Sequence, residues 1–147
     1  MALSLDLLFS VAGSVAALGW LALAVAPLRY SWPRGVTVAA ALAIAACYAA
    51  LIGVFWVRAD GGFGSLDAVA RLFEHRGVLL AGWVHYLAFD LLVGVWERDE
   101  AQRLGVPQLL LVPCLLLTFL FGPLGWLAFL AVRHLNRRAA RMASVPL

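Results

Sequence analysis

Charged residues are scarce in this chain, and lysine is missing altogether. Only 13% of the 147 residues are charged, 65% are hydrophobic, and the eleven basic residues are all arginine. A water-soluble domain of this length could not bury so much apolar surface, whereas a lipid bilayer accepts it. The net charge of +3 is not gathered into a basic patch with interleaved polar residues. We therefore expect membrane lipids and no nucleic acid as partners.

The sequence also lacks the usual motifs of disulfides, metal sites and phosphate binding. Cys47 and Cys114 each lie in an apolar run, which is typical of small packing residues. Walker, GxSxG and HExxH patterns are absent from the sequence. We therefore predict no cofactor. A metal ion is the less favoured alternative, because its ligands would have to come from several helices.

Four long apolar runs predict an all-α membrane protein, a four-transmembrane-helix bundle in one domain over residues 1–147. The helices are expected at about residues 3–26, 36–57, 78–104 and 107–132. Pro113 and the pair Gly122-Pro123 interrupt the last run and predict a broken fourth helix. Between the second and third runs, residues 65–76 predict a short amphipathic segment. It is expected to lie on the membrane surface, and the alternative is a lid over a cavity opened by the third helix.

The second run carries small residues on one helical face. They recur at three- and four-residue steps, at Ala39, Ala43, Ala46, Ala50 and Gly53. Small residues let a neighbouring helix approach closely in lipid, so this face is predicted to pack. The sequence leaves open whether the protein also forms a homo-oligomer.

The arginines indicate an orientation in the membrane. With four crossings, both termini lie on one side, and seven of the eleven arginines lie on that side too. Because arginine is enriched in cytoplasmic segments, we expect both termini in the cytoplasm of a bacterial inner-membrane protein.

The third run carries ionisable residues at a depth where they are costly. At about 100° per residue, His85, Tyr86, Asp90 and Glu97 fall within an arc of roughly 140°, whereas Leu80, Leu87 and Leu91 lie on the opposite side. We expect the polar arc to face the broken fourth helix across a cavity and the aliphatic side to face lipid.

An aspartate at the bilayer centre costs about 2.5–3.5 kcal/mol, which favours a function for Asp90. The alternative is a tether that hydrogen-bonds Tyr48 or Thr118. His85 points about 140° away from Asp90 on an ideal helix, so the two could flank one cavity as separate acid and base. Alternatively, His85 joins two helices and Glu97 is a solvated charge at the headgroups.

Two stretches of the sequence resemble a known family. His85-Tyr86-Leu87-Ala88-Phe89-Asp90-Leu91-Leu92-Val93-Gly94 is followed by Trp96-Glu97, and Val112–Gly125 forms a second motif ending Phe121-Gly122-Pro123-Leu124-Gly125. Both are similar to the abscisic-acid-deficient-4-like family, whose plant members are membrane proteins required to make neoxanthin from violaxanthin. The resemblance covers the whole four-span layout and implies a carotenoid or related isoprenoid lipid as partner.

The resemblance implies a membrane-embedded enzyme that isomerises its substrate by redox-neutral acid–base chemistry. His85 and Asp90 are the expected acid and base, and Tyr86 and Glu97 orient or relay. The expected substrate-binding residues are Trp83, Phe89, Trp96, Thr118 and Phe121. The alternative is a non-catalytic protein that binds a carotenoid or lipid or assists assembly in the membrane.

Overall fold

The computed structural model describes residues 4–143, which form helices and connecting turns without a strand in that range. The six α-helices are α1 (Leu5–Val25), α2 (Trp32–Phe55), α3 (Leu66–Glu74), α4 (Arg76–Leu104), α5 (Gln108–Phe121) and α6 (Pro123–Ala143). A single 3-10 turn, Trp56–Arg58, extends α2. The all-helical prediction is confirmed.

Three of these helices are long and apolar enough to cross a membrane: α1, the α2 stretch Trp32–Arg58, and α4. Their 21, 27 and 29 residues exceed the roughly 20 residues that a bilayer core requires. Helix α5 is apolar but has only 14 residues, or about 21 Å. The structure therefore supports three spans and does not confirm the predicted four-span bundle.

The chain folds into two compact units. The first contains the described residues up to Ala17 together with Ala39–Phe89, and the second contains Leu18–Val38 and the chain from Asp90 onward. Helices α1, α2 and α4 each contribute residues to both units.

In the first unit, α3 is anchored by a cap and by aromatic packing. The Ser65 hydroxyl oxygen accepts a hydrogen bond from the Ala68 N–H at 3.1 Å, which satisfies a free donor at the helix start. Leu72 is buried, and Phe73 reaches α4 at Gly82. A helix is therefore present where the amphipathic segment was predicted, and Phe73 packs it against α4; its location on the membrane surface remains a prediction.

In the second unit, a buried arginine closes the end of α1. The Arg98 guanidinium donates to the carbonyls of Leu23, Ala26 and Pro27 at 2.7–2.8 Å. Helix ends leave carbonyls unsatisfied, and in an apolar setting each would be costly. Arg98 is thus a structural cap of α1, a role that the arginine pattern used for orientation does not reveal.

Helices α5 and α6 form a hairpin beside the carboxyl-terminal half of α4. Residues of α6 meet α4 in chain order: the Trp96 ring lies 5.6 Å from Phe129, and the Asn136 amide donates to the Leu104 carbonyl at 3.0 Å. Helix α6 therefore runs in the direction of α4 and returns to its carboxyl end.

Helix α5 starts at that same end and runs the other way. The Gln108 amide donates to the Ala24 carbonyl at 3.0 Å, at the end of α1, and Thr118 bonds Glu97 deeper in the unit. The predicted break is therefore present, but the chain turns back at Gly122, so residues 107–132 form two helices and a fourth span is not confirmed.

Two glycines permit this reversal. Gly122 adopts φ +51°, a left-handed conformation that glycine tolerates without cost. A Cβ on Gly125 would collide with the backbone nitrogen of Thr118, so only glycine allows α6 to pack so closely on α5. Pro113, by contrast, lies inside α5 without ending it.

The aliphatic side of α4 is buried, and in the second unit Glu97 of the polar arc is buried as well. Leu80, Leu87 and Leu91 are 6%, 5% and 0% exposed, whereas His85 is exposed. The predicted orientation, with these leucines toward lipid, was wrong. Lipid tails are as apolar as leucine, so an aliphatic side is not driven toward lipid and can pack between helices instead.

The small-residue face of α2 also lies outside the packed interior. Ala39, Ala43, Ala46, Ala50 and Gly53 all lie outside the buried set, while Thr37, Ala41, Ile44 and Leu51 are buried. The predicted packing of that face within the chain was therefore wrong.

Candidate functional site

The predicted site residues fall into both units. His85, Tyr86, Trp83 and Phe89 belong to the first, and the others, Asp90, Glu97, Trp96, Thr118 and Phe121, belong to the second. Neither unit contains all of them.

In the first unit, a cavity of about 250 Å³ opens beside α4 and is walled largely by aromatic side chains. We call it the aromatic groove. Its lining residues are Tyr48, Ile52, Trp56, Phe63, Leu72, Phe73, Val78, Gly82 and His85. Of the predicted site residues, His85 alone is in this lining.

His85 is held between two aromatic rings. Its ring centroid lies 4.7 Å from that of Phe89, one turn on, and 5.2 Å from that of Tyr48 on α2. This ring contact brings an imidazole and a phenol, two groups that can exchange protons, into one otherwise apolar wall. Phe89 is 58% exposed and supports the imidazole.

Close packing at Gly82 positions the part of the groove wall that α3 contributes. A Cβ on Gly82 would lie 2.6 Å from Phe73 Cε1, a distance that real side chains do not adopt. The absence of a side chain at Gly82 therefore lets Phe73 reach α4 and bound the groove.

Trp83 and Tyr86 do not line the aromatic groove. Trp83 borders a different cavity of about 270 Å³ with Phe9, Leu79 and the ion pair Asp6–Arg76. The Tyr86 ring lies 5.7 Å from the Trp83 ring. Trp83 thus borders a pocket other than the aromatic groove, and its contact with a substrate remains a prediction.

In the second unit, a buried carboxyl group meets the hairpin. Glu97 is fully buried, and the Thr118 hydroxyl donates to its Oε1 at 2.9 Å. Its Oε2 is buried too and has no hydrogen-bond partner among residues 4–143. Because a buried polar group without partners is costly, Glu97 depends on the hydrogen bond from Thr118.

Asp90 lies against the hairpin tip. A Cβ on Gly122 would approach its Oδ1 at 3.1 Å, and the Asp90 and Glu97 carboxyl groups also interact electrostatically. The prediction that Asp90 lies within reach of the broken fourth segment is therefore confirmed. Trp96 and Phe121 are 37% and 59% exposed.

The sequence did not single out most of the groove. Tyr48 was considered only as a partner of Asp90, and Phe63 and Phe73 were assigned no ligand contact. The available signal was the spacing of Tyr48, Ile52 and Trp56, which recur at four-residue steps along the end of α2 and into its 3-10 extension.

Metal ligands are not assembled in the described chain. Among residues 4–143, no three histidine, cysteine, aspartate or glutamate side chains come together as a metal site would require. The prediction of no cofactor remains a prediction.

Comparison with known proteins agrees with the motifs. A family model described as ABA DEFICIENT 4-like matches residues 7–129, which include every predicted site residue. No curated protein and no solved structure matches the chain.

Proposed function

Because the chain belongs to the ABA DEFICIENT 4-like family, we propose that it acts on a carotenoid or a related isoprenoid lipid inside the membrane. The proposed reaction is a redox-neutral isomerisation of the kind that forms neoxanthin. The observation that supports it is the aromatic groove, with His85 and Tyr48 as its polar groups.

The groove suits one end of a long apolar chain. From Tyr48 to Trp56 it follows α2 over about 12 Å, and its volume lies below the roughly 300–1,000 Å³ of sites that enclose a drug-sized ligand. In this proposal one ring of the substrate enters the groove, and the remaining polyene stays in the lipid.

The chemistry requires one proton donor and one proton acceptor. Opening an epoxide breaks a C–O bond as its oxygen gains a proton, and a neighbouring carbon loses a proton as a double bond forms. No electrons are exchanged with a cofactor. His85 takes the proton from carbon in this proposal, and the Tyr48 hydroxyl gives its proton to the epoxide oxygen; a proton then returns from His85 to the Tyr48 oxygen, which restores both groups.

The remaining acid–base candidates are assigned a supporting role. Asp90, Glu97 and Tyr86 are not among the groove's lining residues. In this proposal Asp90 and Glu97 hold the hairpin tip, through Gly122 and Thr118, and do not touch the substrate.

Non-catalytic pigment or lipid binding is the second candidate. One observation favours it: the nine lining residues include no carboxylate, and His85 and Tyr48 alone can exchange a proton. A binding protein needs the groove, but it needs neither a proton donor nor a proton acceptor.

Turnover separates the two candidates. Purified protein is incubated in lipid vesicles with defined carotenoids, including an epoxide, and the products are resolved by chromatography. His85→Gln should lower the rate about 100-fold or more, while His134→Gln, an exposed histidine on α6, should leave it unchanged. Undiminished turnover in His85→Gln would refute the catalytic role, and pigment binding without turnover by the wild type would favour the second candidate.

A further inference from the structure

Three arginines converge on one carboxylate at the carboxyl end of α4. Glu100 lies 2.8 Å from Arg103 Nε, 2.7 Å from Arg133 Nε and 3.3 Å from an Arg137 Nη nitrogen. The Glu100 side chain is only 8% exposed. We call this group the arginine cluster; it lies entirely within the second unit.

The cluster carries more positive charge than its carboxylate can balance. Three guanidinium groups face one negative charge, which leaves a local surplus of two. The other carboxylates nearby are engaged elsewhere, because Asp99 pairs with Arg34 at 2.9 Å and Glu97 bonds Thr118. Charge complementarity therefore favours an anion here.

The guanidinium groups keep donors available to a ligand. The side chains of Arg103 and Arg137 are 62% and 41% exposed, and each guanidinium carries five N–H donors. Planar forks of this type match the oxygens of a phosphate group and can bind it through two hydrogen bonds at once.

An apolar wall adjoins the cluster. The Arg133 guanidinium lies 5.9 Å from the Trp96 ring centroid, and the Trp126 ring lies 6.5 Å from that of Trp96. Both tryptophans are partly exposed. Tryptophan is enriched at the level where headgroups meet acyl chains.

We propose that the arginine cluster binds the phosphate of an anionic phospholipid, whose acyl chains lie along Trp96 and Trp126. A headgroup phosphate supplies the missing negative charge, and the attached chains cover the exposed tryptophans. A free phosphate would balance the positive charge of the cluster but would leave the exposed tryptophans uncovered. This inference is independent of the proposed reaction.

Lipid-dependent stability tests the site in the full chain. Protein in a mild detergent receives phosphatidylglycerol, phosphatidylcholine or inorganic phosphate, and both the melting temperature and the bound lipid, by native mass spectrometry, are recorded. Phosphatidylglycerol alone should raise the melting temperature of the wild type. Equal stabilisation by phosphatidylcholine would overturn the proposal, and equal stabilisation by inorganic phosphate would show a free-anion site instead of a lipid site.

Paired substitutions locate the effect. The change Arg133→Gln with Arg137→Gln should weaken phosphatidylglycerol binding about 30-fold. Arg58→Gln with Arg71→Gln removes the same charge from exposed positions in the first unit and should leave binding unchanged. An equal loss of phosphatidylglycerol binding in both double variants would contradict the proposed site.

High salt provides a measurement that needs no variant. If the double variant of Arg133 and Arg137 does not fold, lipid binding by the wild type still tests the proposal. Its preference for phosphatidylglycerol over phosphatidylcholine should vanish at high salt, because screening weakens exposed charge pairs. A preference that persists there would overturn the proposal.

Discussion

At the scale of single residues, the best-defined polar contact is between Thr118 and Glu97. The hydroxyl donates to a fully buried carboxyl group, so removing the donor leaves a buried acceptor unsatisfied. Thr118→Val should lower the free energy of unfolding by about 1–3 kcal/mol, measured by thermal denaturation in detergent. Thr118→Ser keeps the donor and is the control; equal losses in both variants would show that packing, not the hydrogen bond, matters.

Arg98 offers a second test at this scale. It donates to three carbonyls at the end of α1 and is 2% exposed, so Arg98→Gln should destabilise the protein by several kcal/mol, about 3 or more. Arg34→Gln breaks the exposed pair with Asp99 and should cost about 1 kcal/mol or less. Similar losses of melting temperature in the two variants would contradict the capping role.

The sequence allowed individual residues to be identified better than their surroundings. Asp90 was expected to meet the broken segment, and it lies at Gly122. His85 was expected to point inward. It is exposed instead, and its ring packs beside the ring of Tyr48 with centroids 5.2 Å apart. Helical periodicity fixes the angle between two residues, whereas the side that faces lipid depends on partner helices that a single run does not reveal.

At the scale of elements, the hairpin of α5 and α6 depends on close backbone approach. Gly125→Ala would drive a methyl group into the backbone of Thr118, which should destabilise the protein by about 1–3 kcal/mol. Gly35→Ala meets open space in the same unit and is the matched control. If both variants have the melting temperature of the wild type, the hairpin is not packed as described.

The break in the last apolar run was predictable, but its consequence was not. Proline and glycine indicated an interruption near residue 122, and the structure has one there. Whether the chain then continues across the membrane or turns back depends on contacts of α6 with α4, such as Asn136 with Leu104. Those contacts join residues far apart in sequence, so local patterns do not encode them.

At the scale of the whole molecule, the expected orientation changes if the three helices that are long and apolar enough to span the membrane each cross it once. An odd number of crossings puts the termini on opposite sides, and eight of the eleven arginines then share the side of the α4 carboxyl end. The enrichment of arginine in the cytoplasm now predicts a cytoplasmic carboxyl terminus and an external amino terminus.

Cysteine labelling tests this orientation. In a background without Cys47 and Cys114, membrane-impermeant reagents should reach cysteines at Gly62 and Arg138 from opposite sides. Labelling of both positions from one side would restore an even number of crossings. Gln102 should be reached from the same side as Arg138.

The pigment bound by the whole protein tests the central claim, that the aromatic groove holds one end of a carotenoid-like chain. The protein is purified in mild detergent from a carotenoid-producing bacterium, and bound pigment per protein is measured by absorption. Gly82→Ala pushes against Phe73 and should reduce the groove, whereas Gly13→Ala meets open space in the same unit.

The account predicts that the wild type and Gly13→Ala retain pigment in a fixed ratio to protein, and that Gly82→Ala loses most of it while keeping its melting temperature within a few degrees. Equal pigment in all three proteins, or none in the wild type, would contradict the account.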